Sequence, residues 1–279
     1  MQLSPIEVKQ FQKKILSWYK NNKRSLPWRG IPDDIPLADR AYRILVSEVM
    51  LQQTQVSRVI PKYEAWFEKF PTVEALADAL MSDVLRLWSG LGYNRRALNL
   101  QRTALIISKE YRGVWPKQKD QLKKLPGIGE YTAGAVACFA FNEQVAVVDT
   151  NVRKVILLEL LQEQKVVNPR EMQELAEELL PKGRARDWNQ ALMDYAALVL
   201  KDRKVLLKKQ SAFKGSRRYF RGKLLKVLLR DGAIAIVSIR KMLAEDAFPV
   251  SDAWLAEIVR EMEDDGFVRC DKTKIYLRS

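Results

Sequence analysis

The sequence predicts an all-α fold for most of the chain, followed by a smaller C-terminal unit that combines helices with a short hairpin. Apolar residues recur at helical spacing from about residue 5 to residue 200, and no convincing alternating strand pattern occurs before residue 230. Glycine and proline clusters divide the helical pattern into short segments. With 279 residues, the chain is long enough for one large domain or two, with a sizeable core.

Charge and composition restrict the possible functions. The chain has 48 Lys and Arg against 34 Asp and Glu, a formal net charge of +14, and no histidine. Such an excess favours a polyanionic partner. Without histidine there is no Ser-His or Cys-His catalysis, so carboxylates, tyrosine and lysine are the candidates for chemistry.

Cysteine usage and hydropathy predict the compartment. The two cysteines, Cys138 and Cys270, cannot form a metal or iron–sulfur site by themselves, and a disulfide is not expected in a reducing compartment. The N-terminus is polar and no apolar run approaches the roughly 20 residues of a membrane span. These observations predict a soluble, intracellular protein.

The first elements are a helix and a basic loop. Residues 5–22 have apolar side chains at helical spacing, and residues 23–30 form a proline-broken segment in which an exposed-looking Trp28 lies between cations. The indole can stack on a base or pack on the core.

The next helix carries an acidic residue in an apolar run. It begins near Ala41, and residues 44–51 are apolar apart from Ser47 and Glu48. If Glu48 is buried, its pKa rises and it keeps a proton for general-acid catalysis; the alternative is that its carboxylate reaches the surface. The polar residues 52–55 that follow either wedge into a duplex or end the helix on the surface.

A glycine turn at residues 90–96 follows three more predicted helices and opens another helix that ends near residue 107. The three helices cover residues 58–67, 73–80 and 83–88.

A Gly-x-Gly turn at residues 125–129 separates a helical segment from a helix that begins near Tyr131. Glycine permits close backbone approach, and the amides of a helix start suit a phosphate, although many such turns are only turns. Asp149 lies at the end of the apolar segment that follows. It is either a functional carboxylate held at the edge of the core or the N-cap of the next helix.

The rest of the chain continues with helices at residues 152–161, 169–180 and 188–200, and then a strongly basic segment at residues 201–223. The tail is predicted to form helices at 219–229, 237–243 and 251–264 and strands at 267–270 and 274–277. Three helices and a hairpin with a basic tip resemble a winged helix, a module that binds DNA or protein.

Five blocks together resemble the adenine DNA glycosylase (MutY-type) branch of the helix-hairpin-helix base excision glycosylases. The blocks occur in the family's order over about residues 10–200 and are residues 26–29, 47–55, 90–93, 125–129 and 149–152. The resemblance implies two helical subdomains, about 30–140 and 1–29 with 141–210, with the site between them. A basic linker and winged-helix-like domain would follow at 211–279.

The resemblance also implies catalytic roles. Glu48 would protonate a ring nitrogen of a flipped-out adenine, and Asp149 would stabilise the oxocarbenium sugar, with or without a covalent intermediate. Tyr131 and Asn151 would support Asp149. Bifunctional relatives place a Schiff-base lysine at position 131, so tyrosine there implies base removal without strand cleavage.

Further residues are implied to bind the base and the DNA. The base pocket would consist of Arg24, Leu26, Trp28, Arg29, Leu51 and Gln190. The DNA-binding residues would be Gln52, Gln53, Thr54, Tyr93, Gly127 and Gly129, with Lys204, Lys208 and Lys209 in the basic segment.

The chain departs from the family pattern at two points. Members commonly bind a [4Fe–4S] cluster through four cysteines, and residues 200–210 contain none, so we expect no cluster and no metal. The tail is also shorter and more helical than the usual domain that reads 8-oxoguanine.

The sequence thus predicts a monomeric, monofunctional enzyme that removes adenine mispaired with 8-oxoguanine or guanine from double-stranded DNA. A thymine or uracil mismatch glycosylase on the same scaffold is one alternative, which the acid Glu48 disfavours. A non-catalytic winged-helix DNA-binding protein is the other.

Overall fold

The computed structural model describes residues 3–32, 34–161, 168–203, 213–244 and 251–278. In this part of the chain most residues are helical. The helices are α1 (Pro5–Asn22), α2 (Leu37–Leu51), α3 (Val56–Lys69), α4 (Val73–Ala77), α5 (Met81–Trp88), α6 (Arg95–Leu105), α7 (Lys119–Leu122), α8 (Glu130–Phe141), α9 (Thr150–Val155), α10 (Pro169–Glu178), α11 (Ala185–Leu198), α12 (Arg217–Asp231), α13 (Ile236–Ala244) and α14 (Asp252–Asp264). π-helical turns at Ile106–Glu110 and Ile156–Leu160 follow α6 and α9.

Three short strands form one antiparallel sheet. They are β1 (Ala233–Ala235), β2 (Val268–Cys270) and β3 (Lys274–Leu277), in the order β1-β3-β2. The sequence predicted only the two later strands. β1 was missed because three residues are too few to show an alternating pattern, and its pairing with β3, Ala233 opposite Tyr276, is a tertiary contact.

The described residues form two compact units that interleave along the chain. One consists of Met1–Gln53 with Ile106–Leu207, and the other of Thr54–Leu105 with Lys208–Ser279. The predicted bounds near residues 140 and 210 stay predictions.

The first unit is built around two buried helices. In α8, residues 132–140 are all buried, and in α2 residues 44–50 are buried, so the two helices pack against each other without a solvent face along most of their length. α11 packs against α1 and α9. This packing places both α2 and α8 in the core, together with any polar group that they carry.

Local signals explain the start of α1. The Ser4 hydroxyl accepts the backbone N–H of Glu7 at 3.2 Å, and the Glu7 carboxylate accepts the backbone N–H of Ser4 at 2.8 Å. Pro5 occupies the first helical position, where no N–H is needed. The predicted bounds of this helix, residues 5–22, agree with the structure for that reason.

The second unit joins α3–α6 to the C-terminal helices and sheet. Trp66 of α3 and Trp88 of α5 are fully buried and meet edge to face, with ring centroids 5.8 Å apart. α12 packs against α14, β1, β3 and α5. No helix among the described residues is long and apolar enough to cross a bilayer.

Candidate active site

Glu48 lies in the core of the first unit. It is the fourth residue from the end of α2, and 6% of its surface is exposed. The Tyr131 hydroxyl donates a hydrogen bond to Glu48 Oε2 at 2.9 Å. Of the two readings open from the sequence, the buried position is the one that the structure shows.

Burial raises the pKa of Glu48 to about 7, because the ionised carboxylate loses its hydration. The hydrogen bond from Tyr131 opposes this rise in pKa, the negative charge of Asp149 adds to it, and the positive charge of Arg29 lowers it slightly. A carboxyl with this pKa keeps a substantial protonated fraction at neutral pH, which suits a general acid.

Asp149 is partly buried at the start of α9 and caps that helix. Its Oδ1 accepts the backbone N–H of Val152 at 2.7 Å, and its Oδ2 accepts the Asn151 side-chain amide at 2.7 Å. The structure thus shows the helix cap, and the same carboxylate acts electrostatically on Glu48. The catalytic role of Asp149 stays a prediction.

Burial also raises the pKa of Asp149, but the N–H donors of Val152 and Asn151 oppose the rise. The two carboxyls differ in this respect. Glu48 has one hydroxyl donor, whereas Asp149 has a backbone amide, a side-chain amide and the start of a helix. Asp149 is the group better suited to carry the negative charge while Glu48 keeps a proton.

Tyr131 connects the glycine turn to Glu48. It is the second residue of α8, so the fold of the turn determines the position of its hydroxyl. Burial and the neighbouring charge of Glu48 raise the pKa of the Tyr131 hydroxyl well above its ordinary value, so it acts as a hydrogen-bond donor.

The turn before α8 exposes backbone. Gly127 adopts φ +73°, which a side chain disfavours, and Gly129 has open space where a Cβ atom would lie. No side chain caps the first N–H groups of α8. Glu130 forms ion pairs with Lys119 and with Lys123, so two lysines stand beside the turn.

A cleft of about 820 Å³ in the same unit contains most of the predicted base-pocket residues. Arg24, Leu26, Trp28, Arg29 and Gln190 line it. Leu51 and Glu48 are not among the residues that line the cleft. Arg29 connects the two places, because it lines the cleft and its positive charge also acts on Glu48. Trp28 is 5% exposed, so of the two readings left open by the sequence the structure shows the one in which the indole packs on the core.

Asp194 is a buried residue that the sequence analysis did not identify. Its side chain is fully buried and accepts the backbone N–H of Arg24 at 2.9 Å, Arg24 Nε at 2.6 Å and Arg29 Nη1 at 2.7 Å. It therefore fixes both ends of the basic loop that lines the cleft. The sequence feature that could have identified Asp194 is its place as an acidic residue on the apolar face of α11, four residues after Gln190.

Asn189 fixes the segment that leads to Asp149. Its Oδ1 accepts the backbone N–H of Val147 at 2.8 Å, and its Nδ2 donates to the carbonyl of Val145 at 3.0 Å. Asn189 is 1% exposed. The neighbouring Gln190 accepts a hydrogen bond from the Tyr19 hydroxyl at 3.0 Å.

The predicted DNA-binding residues lie at the ends of helices. Gln53 follows α2 and Tyr93 precedes α6, and both are exposed with positive φ, +55° and +48°. The Gln52 amide donates to Thr132 Oγ1 at 3.2 Å, and the Thr54 hydroxyl donates to the carbonyl of Leu91 at 3.5 Å. Lys204, Lys208 and Lys209 lie outside the described residues.

The residues present do not fit a four-cysteine iron–sulfur cluster. Cys138 is buried in α8, and Cys270 lies in β2 of the other unit. Burial raises the pKa of the Cys138 thiol to about 12, so the thiolate that binds metal is disfavoured. Among the described residues, no group of three or more His, Cys, Asp or Glu side chains could hold a metal ion.

Comparison with protein families gives one match. Residues 46–182 match the HhH-GPD superfamily base excision DNA repair proteins. This range contains Glu48, Tyr131, Asp149 and the glycine turn.

Similar curated proteins include adenine DNA glycosylases from bacteria and mammals. The chain is 40% identical over 260 residues to that of Mycolicibacterium smegmatis, which covers 85% of this chain and 83% of the relative. It is 42% identical over 198 residues to the human protein, covering 69% of this chain and 36% of the relative. The chain thus spans most of the mycobacterial relative and about a third of the human one.

Similar solved structures are also glycosylases or endonucleases of DNA. A thermostable thymine-DNA glycosylase superposes with a TM-score of 0.63 at 32% identity, covering 71% of this chain and 89% of the other. A trapped endonuclease III–DNA covalent intermediate superposes with a TM-score of 0.57 at 20% identity, covering 70% and 86%. The second likeness shows the fold alone.

Proposed function

The chain belongs to the adenine DNA glycosylases of the HhH-GPD superfamily of base excision DNA repair proteins, and on that basis we propose that it removes adenine mispaired with 8-oxoguanine or guanine. The observation that most supports this proposal is the burial of Glu48, whose pKa of about 7 suits proton donation. Its partner is DNA. We propose that the enzyme acts as a monomer on double-stranded DNA in the cytoplasm of a bacterial or archaeal cell.

The first step is proton transfer. Adenine is a poor leaving group as an anion, so a proton placed on a ring nitrogen weakens the N-glycosidic bond. Glu48 supplies this proton once adenine is flipped out of the duplex. The Tyr131 hydroxyl already donates to Glu48, so it stabilises the carboxylate that remains after proton transfer.

The second step is stabilisation of the sugar. As adenine leaves with the bonding electrons, positive charge develops on C1′ and the ring oxygen, and the Asp149 carboxylate stabilises it electrostatically. Asn151 and Val152 hold that carboxylate in place. Water adds to C1′, loses a proton, and leaves an abasic site.

The reaction ends with an intact strand. Tyr131 stands where a Schiff-base lysine would be needed, and a phenol cannot form an imine with the abasic sugar. The start of α8, which no side chain caps, and the lysines beside it, Lys119 and Lys123, support a phosphate contact at the turn. We further propose that no iron–sulfur cluster takes part.

Two other functions compete with this proposal. The likeness to a thymine-DNA glycosylase at 32% identity favours a thymine or uracil mismatch glycosylase as the second candidate. Thymine and uracil leave more readily as anions, so they do not require the buried acid Glu48. A purely DNA-binding role leaves the interaction between Glu48 and Asp149 without a purpose.

The test is a comparison of four duplexes under single-turnover conditions, with A opposite 8-oxoguanine, A opposite G, T opposite G and U opposite G. We expect alkali-cleavable product from the two adenine duplexes only. Glu48→Gln and Asp149→Asn should each abolish it. Before alkali treatment the strand should stay intact, and borohydride should trap no protein on it.

Each contrary result has a definite meaning. Product from the T or U duplexes alone supports the second candidate, and no product from any duplex supports a binding protein. Efficient borohydride trapping contradicts the monofunctional assignment.

A further inference from the structure

The C-terminal helices are joined to α6 through one buried acid. Asp265, which follows α14, is 9% exposed. Its carboxylate forms ion pairs with Arg221 of α12 and with Arg95 of α6, the latter at 3.3 Å, and its carbonyl accepts Arg102 Nη2 of α6 at 3.2 Å. Contacts of this kind fix α12 relative to the start of α6, where Tyr93 lies.

Neighbouring arginines of α12 point in different directions. Arg217 and Arg221 are one helical turn apart and both pair with Glu261 of α14. Arg218 lies about 100° around the helix from Arg217 and faces the turn before α6 instead. Glu257 and Glu261 give α14 a negatively charged face that pairs with α12, and a negatively charged face does not favour contact with DNA phosphates.

Arg218 contacts Tyr93 in two ways. Arg218 Nη1 donates a hydrogen bond to the Tyr93 hydroxyl, and its guanidinium carbon lies 5.3 Å from the ring centroid. The guanidinium carbon of Arg96 lies 5.6 Å from the same centroid. Both guanidinium groups therefore lie close enough to the Tyr93 ring for cation–π attraction to be significant.

Tyr93 has a reason to need such support. Its φ of +48° is uncommon for a residue with a side chain, and such a conformation persists only where the surroundings stabilise it. Tyr93 is nevertheless 37% exposed, so it remains available to a partner.

We propose that Arg218 of the C-terminal domain is a positioning residue for Tyr93, holding its ring ready to enter the DNA base stack. This inference rests on the proposed function, because the role of Tyr93 in the duplex comes from it. The C-terminal domain thereby acts on DNA through α12 and the Tyr93 turn. An ordered aromatic ring loses less conformational freedom on binding than a mobile one.

The test is a double-mutant cycle on Tyr93 and Arg218. The binding constant is measured for a duplex carrying a tetrahydrofuran abasic analogue opposite 8-oxoguanine, which requires no catalysis. Arg218→Ala should weaken binding about fivefold, and Arg218→Lys should restore most of it. In a Tyr93→Ala background, Arg218→Ala should change binding less than about twofold.

Arg230→Ala is the matched control, since Arg230 is an exposed arginine of α12 paired with its neighbour Asp231. It should leave binding within about twofold of the wild-type value. Arg218→Gln replaces Arg218→Ala if the latter does not fold.

Three results would overturn the inference. In the first, Arg218→Ala weakens DNA binding equally whether residue 93 is tyrosine or alanine. In the second, Arg218→Ala does not weaken binding in either case, and in the third it makes binding tighter. Because the duplex carries no adenine, coupling between Tyr93 and Arg218 can be observed even if the protein excises no adenine. A failed adenine assay contradicts the proposed function separately.

Discussion

Glu48 has a pKa of about 7 because α2 carries its carboxyl into the core, where ionisation occurs without bulk water. The pKa in the folded state lies above the ordinary value of 4.5, so the folded protein favours the protonated form. The free energy of unfolding therefore falls as pH rises from about 4.5 to about 7, and the loss is complete above that range.

Glu48→Gln should stabilise the protein at alkaline pH. The amide keeps an oxygen that accepts from Tyr131 and removes the buried charge. The shift in pKa corresponds to about 3 kcal/mol at pH 8.5, and the gain should shrink to less than about 1 kcal/mol at pH 5. Unfolding measured at the two pH values checks this.

Glu130→Gln is the control for that measurement. Ion pairs with Lys119 and Lys123 lower the pKa of Glu130, so its ionised form stabilises the folded state above its ordinary pKa. Glu130→Gln should lower stability at pH 8.5. A destabilised Glu48→Gln at pH 8.5 would contradict the assignment of a costly buried charge to Glu48.

At the scale of the elements, α11 supports the basic loop through Asp194. Asp194→Asn keeps the size of the side chain but removes the carboxylate charge that pairs with both Arg24 and Arg29. Breaking a buried pair in this way should cost about 3 kcal/mol. The midpoint of urea unfolding should fall, and adenine excision should fall with it because the loop lines the cleft.

Asp187→Asn on the same helix is the matched control. Its ion pair with Arg184 has both side chains 53% exposed, so its loss should cost less than about 0.5 kcal/mol. Equal destabilisation by both substitutions would show that Asp194 has no special role in holding the loop.

Most helices could be predicted from the sequence because their apolar faces and caps are local signals. α1 has a capping box and a proline at its first position, and its bounds agree with the prediction. α2 begins at Leu37, four residues before the predicted Ala41, because its first turn lacks an apolar pattern. The π-helical turns after α6 and α9 have no such local signal.

Part of the site could also be predicted. Glu48 and Asp149 could be identified from the sequence because each is an acidic residue in or next to an apolar segment. The hydrogen bond from Tyr131 to Glu48 has no local signal, because the two residues are 83 positions apart in the chain. Asp194 was missed because its partners, Arg24 and Arg29, lie 170 and 165 residues away and no local pattern connects them. Packing of α11 against α1 creates that contact.

At the scale of the whole molecule, the net charge of +14 and the family membership agree on DNA as the partner. The positive charge is distributed over both units. Lysines flank the glycine turn in the first, and arginines surround Tyr93 in the second. Helix α12, in the tail whose role the sequence left open between DNA and protein binding, contacts the turn that carries Tyr93 through Arg218.

The central claim is that a protonated Glu48 drives the loss of adenine. The most direct measurement is the single-turnover excision rate on a duplex with A opposite 8-oxoguanine from pH 5.5 to pH 9. The rate should fall about tenfold per pH unit above an apparent pKa near 7, and Glu48→Gln should be at least about 100-fold slower than the wild type at pH 6. A rate that stays constant across the whole range, or a Glu48→Gln variant that excises adenine as fast as the wild type, would contradict the claim.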